Sequence, residues 1–236
     1  GLRLRSFRLT LNQRESSMPV DLESNLTKLR RDLLILGAKV EQRLFQITDA
    51  ILTADVAAAQ DVRQGDAEID HDDLVIEEEC VRLLALAAPV ATDLRRILAM
   101  MRISGEFERI ADLSKGISKR IIRVSSMPAV RLPDPLAEMC HSVRELFSKS
   151  LRALADSDSK LAREIRRDDD RLDQLHKSML VWAREEIPRD PESTNAAIEL
   201  LAIAQRLERT GDIAVSIAGN LIYLVEGTVV RHGNAD

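Results

Sequence analysis

Aromatic residues make up only 3% of this 236-residue chain: four Phe, one Tyr and one Trp. Sheets favour β-branched and aromatic side chains, so this scarcity points to helices packed through Leu, Ile, Val, Ala and Met. Proline and glycine are also few, seven and nine residues, and most prolines fall between periodic stretches, where connections belong. Two cysteines, Cys80 and Cys140, support neither a disulfide framework nor a zinc cluster, and both read as small buried hydrophobes within helices. Charges interrupt every apolar run well short of the roughly 20 residues that a membrane-spanning helix needs. No charge of one sign dominates. The 34 basic and 39 acidic residues are interspersed, with a net charge of −5, which leaves no basic field for nucleic acid. A secretory signal is missing too, so the cytoplasm is the expected compartment.

What is present is a chain 45% hydrophobic, enough for one large or two modest cores, and six helical stretches. The first runs from Asp21, a capping residue behind Pro19, to about Thr53. The second runs from the cap Asp55 to about Leu86. Pro89 interrupts the chain, and Asp93 opens a third helix reaching about Val124. Residues 125–133, with Pro128 and Pro133, read as a linker. A fourth helix extends to about Leu154, and a fifth from the Asp156–Asp158 cluster to about Ile187. Pro188 and Pro191 break that helix, and Ser193 or Thr194 caps a sixth ending near Gly227. The expectation is all-α: two tandem, pseudo-symmetric three-helix bundles, residues 18–124 and 134–230, each folding back antiparallel. Residues 1–17, with Arg3, Arg5, Arg8 and Arg14, read as a disordered leader or a start placed before Met18 rather than a targeting arm. Residues 231–236 read as a tail.

The halves repeat one another. A shift of 100 residues aligns Glu108-Arg109-Ile110-Ala111-Asp112 with Glu208-Arg209-Thr210-Gly211-Asp212. Earlier in each half the shift is 103, which brings Asp66 and Asp70 onto Asp169 and Asp173; internal duplication is the economical explanation. One pair of acids four residues apart means little on a solvated helix. Two such pairs recurring at equivalent places in both halves mean more. Glu108 and Asp112 share one helical face, as do Glu208 and Asp212, with small residues (Ser104, Gly105, Ala111; Ala204, Gly211) beside them. Asp73 and Glu77 continue the Asp66/Asp70 stripe, and His176 stands at the repeat position of Asp73. If the paired helices lie side by side, each bundle offers several oxygen ligands suited to a hard divalent cation, with His176 tilting preference towards iron or manganese. Two other readings stand beside this one: salt networks through Arg109, Arg209 and other arginines, and a solvated acidic face.

These motifs resemble the PhoU family of phosphate-uptake regulators over about residues 20–232. The resemblance rests on both Glu-Arg-x-x-Asp motifs, on Cys80-Val81-Arg82 leading to Pro89-Val90-Ala91-Thr92-Asp93-Leu94-Arg95, on Val40-Glu41-Gln42-Arg43-Leu44 and on Val225-Glu226-Gly227. It implies paired three-helix bundles, often dimeric, in a cytoplasmic, peripheral partner of the phosphate transporter and of a membrane sensor histidine kinase, acting as a negative regulator of phosphate-starvation signalling. Some relatives hold multinuclear metal clusters on such motifs. Carried over, the metal residues are Asp66, Asp70, Glu108, Asp112, Asp169, Asp173, Glu208 and Asp212, with Fe, Mn, Mg or Zn as the ion. Ala111 departs from the glycine usual in the family.

An enzyme is not expected: no nucleophile has a convincing partner set, and no glycine-rich phosphate loop occurs. The rival reading is a ferritin-like di-metal carboxylate protein or oxidase, marked by Glu-x-x-His at Glu68/His71 and Glu138/His141. Those two sequences do not correspond under either repeat shift. A metal-free helical scaffold is a further alternative.

Overall fold

The computed structural model describes residues 21–168 and 170–228, and these contain helix and no strand; the expected leader and tail lie outside the described residues. The helices are α1 (Leu22–Thr53), α2 (Val56–Gln64), α3 (Asp66–Ala87), α4 (Ala91–Val124), α5 (Asp134–Asp156), α6 (Ser159–Asp168), α7 (Asp170–Arg189) and α8 (Thr194–Glu226), with a 3-10 turn at Pro191–Ser193 before the last. Among these residues no helix is long and apolar enough to cross a membrane.

The long helices form because their apolar residues return every three or four positions. In α1 the buried stripe is Leu26, Leu29, Leu33, Leu36, Val40, Leu44, Ile47 and Ile51. In α4 and α8 the stripes superpose under the 100-residue shift: Ile97, Met100, Ile103, Phe107 and Ile117 against Ala197, Leu200, Ile203, Leu207 and Ile217, all buried.

The turns repeat as well. Ala54 adopts a left-handed conformation (φ 55°) and Asp55 then caps α2, its carboxylate accepting the Ala58 N–H at 3.0 Å. In the second half Ser157 is left-handed (φ 52°), and Asp158 accepts the N–H groups of Lys160 and Leu161 at 2.9 and 3.0 Å. The capping oxygens satisfy amides that a helix start otherwise leaves without partners.

Three details differ from the expected elements. The second helix is two, split at Gly65, where Arg43 of α1 donates to the carbonyls of Asp61 (3.4 Å) and Gly65 (3.3 Å). A Cβ at Gly65 would lie 1.7 Å from that guanidinium and would displace it. Along the expected fifth helix, α6 and α7 lie on either side of Asp169, which is outside the described residues. Asp93 does not cap α4; it sits in the first turn and accepts from Arg96 at 3.5 Å. Pro188 does not end α7, which carries it in the final turn.

The halves do not have separate cores. One buried cluster runs through both. α4 and α8 pack antiparallel: Glu106 accepts the Ser216 hydroxyl at 2.7 Å, and Gly116 lies against Arg206. These two pairs exchange under the 100-residue shift, so a local two-fold axis passes between the helices near Ala111 and Gly211, both buried. α1 and α5 form the second antiparallel seam, through Arg144 with Thr48 and Asp49, and Ser148 with Glu41. The expected linker packs on the core through Val130 and Leu132.

Candidate metal centre

The acids of α4 and α8 have the same exposure in the two halves. Glu108 and Glu208 are half-buried on α4 and α8, and Asp112 and Asp212, one turn further on, are exposed. Asp70 is exposed on α3, and Asp173 half-buried on α7. The side chain of Asp66 and all of Asp169, both expected as ligands, lie outside the described residues.

In the second half electrostatics place the acids in one neighbourhood. The Glu208 carboxyl is pushed above its usual range, first by burial and then by the negative charge of Asp212; Asp173, across on α7, also raises it, while His176 and Arg209 pull it down. Residues from α7 and α8 therefore lie within electrostatic reach of one carboxyl. His176, half-buried, is among them.

A raised carboxyl favours the folded state while protonated. That contribution is whole below the unfolded value of 4.5 and is lost as pH rises through the higher folded value. Chelator-treated Glu208→Gln protein is accordingly expected to melt a few degrees above the parent at neutral pH. The difference should close as the pH falls below the ordinary carboxylate range. Thermal melts across pH check this, and a variant that melts lower at neutral pH contradicts it.

The first half is tied differently. Ser104, which in sequence is only a small flanking residue, donates its hydroxyl to Asp73 at 2.5 Å, joining α4 to α3. The duplication predicts no such bond in the second half, where Ala204 and His176 hold those positions. The other face of α3 is drawn to α1 by Lys39, whose ammonium meets Glu68 and Asp72 at 2.6 Å each. Arg109 turns from its neighbour Glu108 to Glu106, at 2.7 Å.

Among the described residues, no three His, Cys, Asp or Glu side chains form a set that holds a metal ion as it stands. In the second half burial, and then the charges of Asp212 and Asp173, disfavour the ionised Glu208, a cost that a cation bound beside it would offset. The Glu-x-x-His residues differ in character. Glu68, His71, Glu138 and His141 are all exposed, Glu68 is held by Lys39, and the two sequences lie on α3 and α5 of different halves, so nothing supports the ferritin-like reading. Cys80 and Cys140 are fully buried and unpaired, and burial pushes each thiol up to about 12; both are inert.

The profile described as the PhoU domain matches the chain twice, at residues 33–121 and 136–221. The phosphate-specific transport system accessory protein PhoU homolog of Pseudomonas putida is 34% identical over 212 residues, covering 89% of this chain and 82% of that protein. The crystal structure of PhoU from Pseudomonas aeruginosa superposes with a TM-score of 0.84 at 30% identity, over 88% of this chain and all (100%) of that one. The phosphate transport system regulatory protein PhoU from Streptococcus pneumoniae gives a TM-score of 0.82 at 26% identity, over 89% and 100%.

Proposed function

Because the chain belongs to the PhoU family, we propose that it is an accessory, regulatory protein of phosphate transport, acting by binding rather than catalysis. The match of the family profile to both halves carries this reading. In it the protein works in the cytoplasm as a homodimer and docks on the phosphate transporter complex and a sensor histidine kinase, holding starvation genes silent while phosphate is plentiful. Attachment to the membrane is then through partners, in keeping with helices too polar to span it. Deleting the gene is expected to raise transporter expression severalfold in phosphate-replete cells. Unchanged expression counts against the regulatory role.

The same proposal gives each bundle a divalent or iron site. Asp70, Glu108 and Asp112, with Asp66, would hold it in the first half; Asp173, Glu208 and Asp212, with Asp169, would do so in the second. His176 is a further donor there. The cation would neutralise carboxylates that otherwise repel across the helix pair and would fasten α3 to α4 and α7 to α8. Metal analysis of protein purified without an affinity tag, beside Glu108→Gln/Asp112→Asn/Glu208→Gln/Asp212→Asn, tests it. Bound metal should fall to background with helicity kept. Equal metal in both proteins refutes the site, and absence of metal from the parent favours the plain helical scaffold.

A further inference from the structure

On one side of the α4–α8 crossing the two helices leave a groove of about 420 Å³. Arg109, Lys115 and Lys119 line it from α4 and Arg206 and Arg209 from α8, against one lining carboxylate, Asp112. Arg109 is already bound by Glu106 and Lys115 is engaged as well, so the surplus rests on Lys119, Arg206 and Arg209. Lys119 and Arg209 are exposed. Arg206 is half-buried and laid so close over α4 that a Cβ on Gly116 would stand 2.7 Å from its Nε. Its Nη1 donates to the Ala202 carbonyl at 2.9 Å. Positive charge is thus concentrated in a chain whose net charge is −5.

The internal duplication supplies a control. Arg109 and Arg209 exchange under the 100-residue shift, but Lys115 becomes Val215, Lys119 becomes Gly219 and Arg206 becomes Glu106. Across the local axis the same pair of helices therefore packs with a carboxylate, which the Ser216 hydroxyl satisfies. Packing α8 on α4 does not require the cationic version, so its charges need another reason.

The geometry points to a binding site in this groove for multiply charged phosphate anions, either free phosphate or short linked phosphates. Guanidinium forks match phosphoryl oxygens in pairs, and Lys119 adds a movable point charge. The volume lies within the range of small-ligand sites and exceeds what one phosphate fills. The lining has no aromatic side chain, so a nucleobase finds nothing to stack on. This site goes beyond the regulatory reading and does not depend on it.

Calorimetric titration of the full chain, freed of divalent ions and at low ionic strength, tests the site with inorganic phosphate and with tripolyphosphate. Saturable binding of one equivalent per chain is expected, weakened at least tenfold by Lys119→Gln/Arg209→Gln. Arg31→Gln/Arg63→Gln removes the same charge from exposed positions on α1 and α2 and should bind as the parent does. Tripolyphosphate at least tenfold tighter than phosphate identifies linked phosphates as the ligand; equal affinity identifies free phosphate. No saturable heat at millimolar anion, or equal weakening by the two double variants, overturns the proposal.

Discussion

Replacing Phe107 by Ala is expected to lower stability by about 3–5 kcal/mol, and to do so for both halves in one transition. The side chain is fully buried on α4. Its ring meets that of Phe147 on α5 edge-on, at 6.0 Å between centroids and 90° between planes, a favoured aromatic geometry. Gly37 of α1 lies beneath: a Cβ there would stand 2.9 Å from the Phe107 ring and 2.8 Å from Leu151. Three helices drawn from both halves thus converge on one ring, in a chain that has only four Phe. Truncation leaves a cavity that stiff neighbouring helices close only partly. Urea unfolding followed by far-UV circular dichroism should show one transition, shifted to lower urea. A variant in which the second half unfolds at the parent's midpoint would show the halves to be independent.

Arg144→Ala is expected to cost about 2–3 kcal/mol. Arg144 lies mostly buried on α5 and reaches across the second seam to α1. It donates to the Thr48 hydroxyl at 2.5 Å, to the Phe45 carbonyl at 3.1 Å and to the Asp49 carboxylate, and its guanidinium sits 5.0 Å from the Phe45 ring centroid. Truncation removes all of these and the packing of the aliphatic stem. Asp49 is exposed and returns to water at little cost, which keeps the loss below that of breaking a fully buried pair. Arg144→Lys should recover less than half, because one ammonium cannot copy a planar fork stacked on a ring. Denaturant midpoints of the three proteins decide this; full recovery by Lys would reduce the contact to simple charge.

Much of the architecture is written locally. The three-and-four spacing of Leu and Ile marks the long helices, and Asp21, Asp55 and Asp158 mark three of their starts because a capping carboxylate binds amides two or three residues on. The duplicated acids are equally visible, since both repeat shifts survive in residue type. That Asp212, Asp173 and His176 act on one carboxyl, Glu208, is a matter of the fold, since the repeat shifts relate the halves but do not say which helices are neighbours. The Arg43 bonds at the Gly65 break are not legible from that segment, because they come from another helix. Nor is the Asp73–Ser104 bond, which needs α3 and α4 in register.

The sequence by itself determined an all-α chain and its duplication, down to the repeated acid pairs. Helical periodicity and turn chemistry are local and survive without a fold. Tertiary structure alone decided that the two halves share one core and cross as antiparallel pairs about a local axis. It also decided that Lys119, Arg206 and Arg209 gather on one side of that axis. Interspersed charges show no sign of this along the chain. Whether two cations are neighbours depends on which helix faces cross, and that is settled by how the apolar stripes of α4 and α8 fit together.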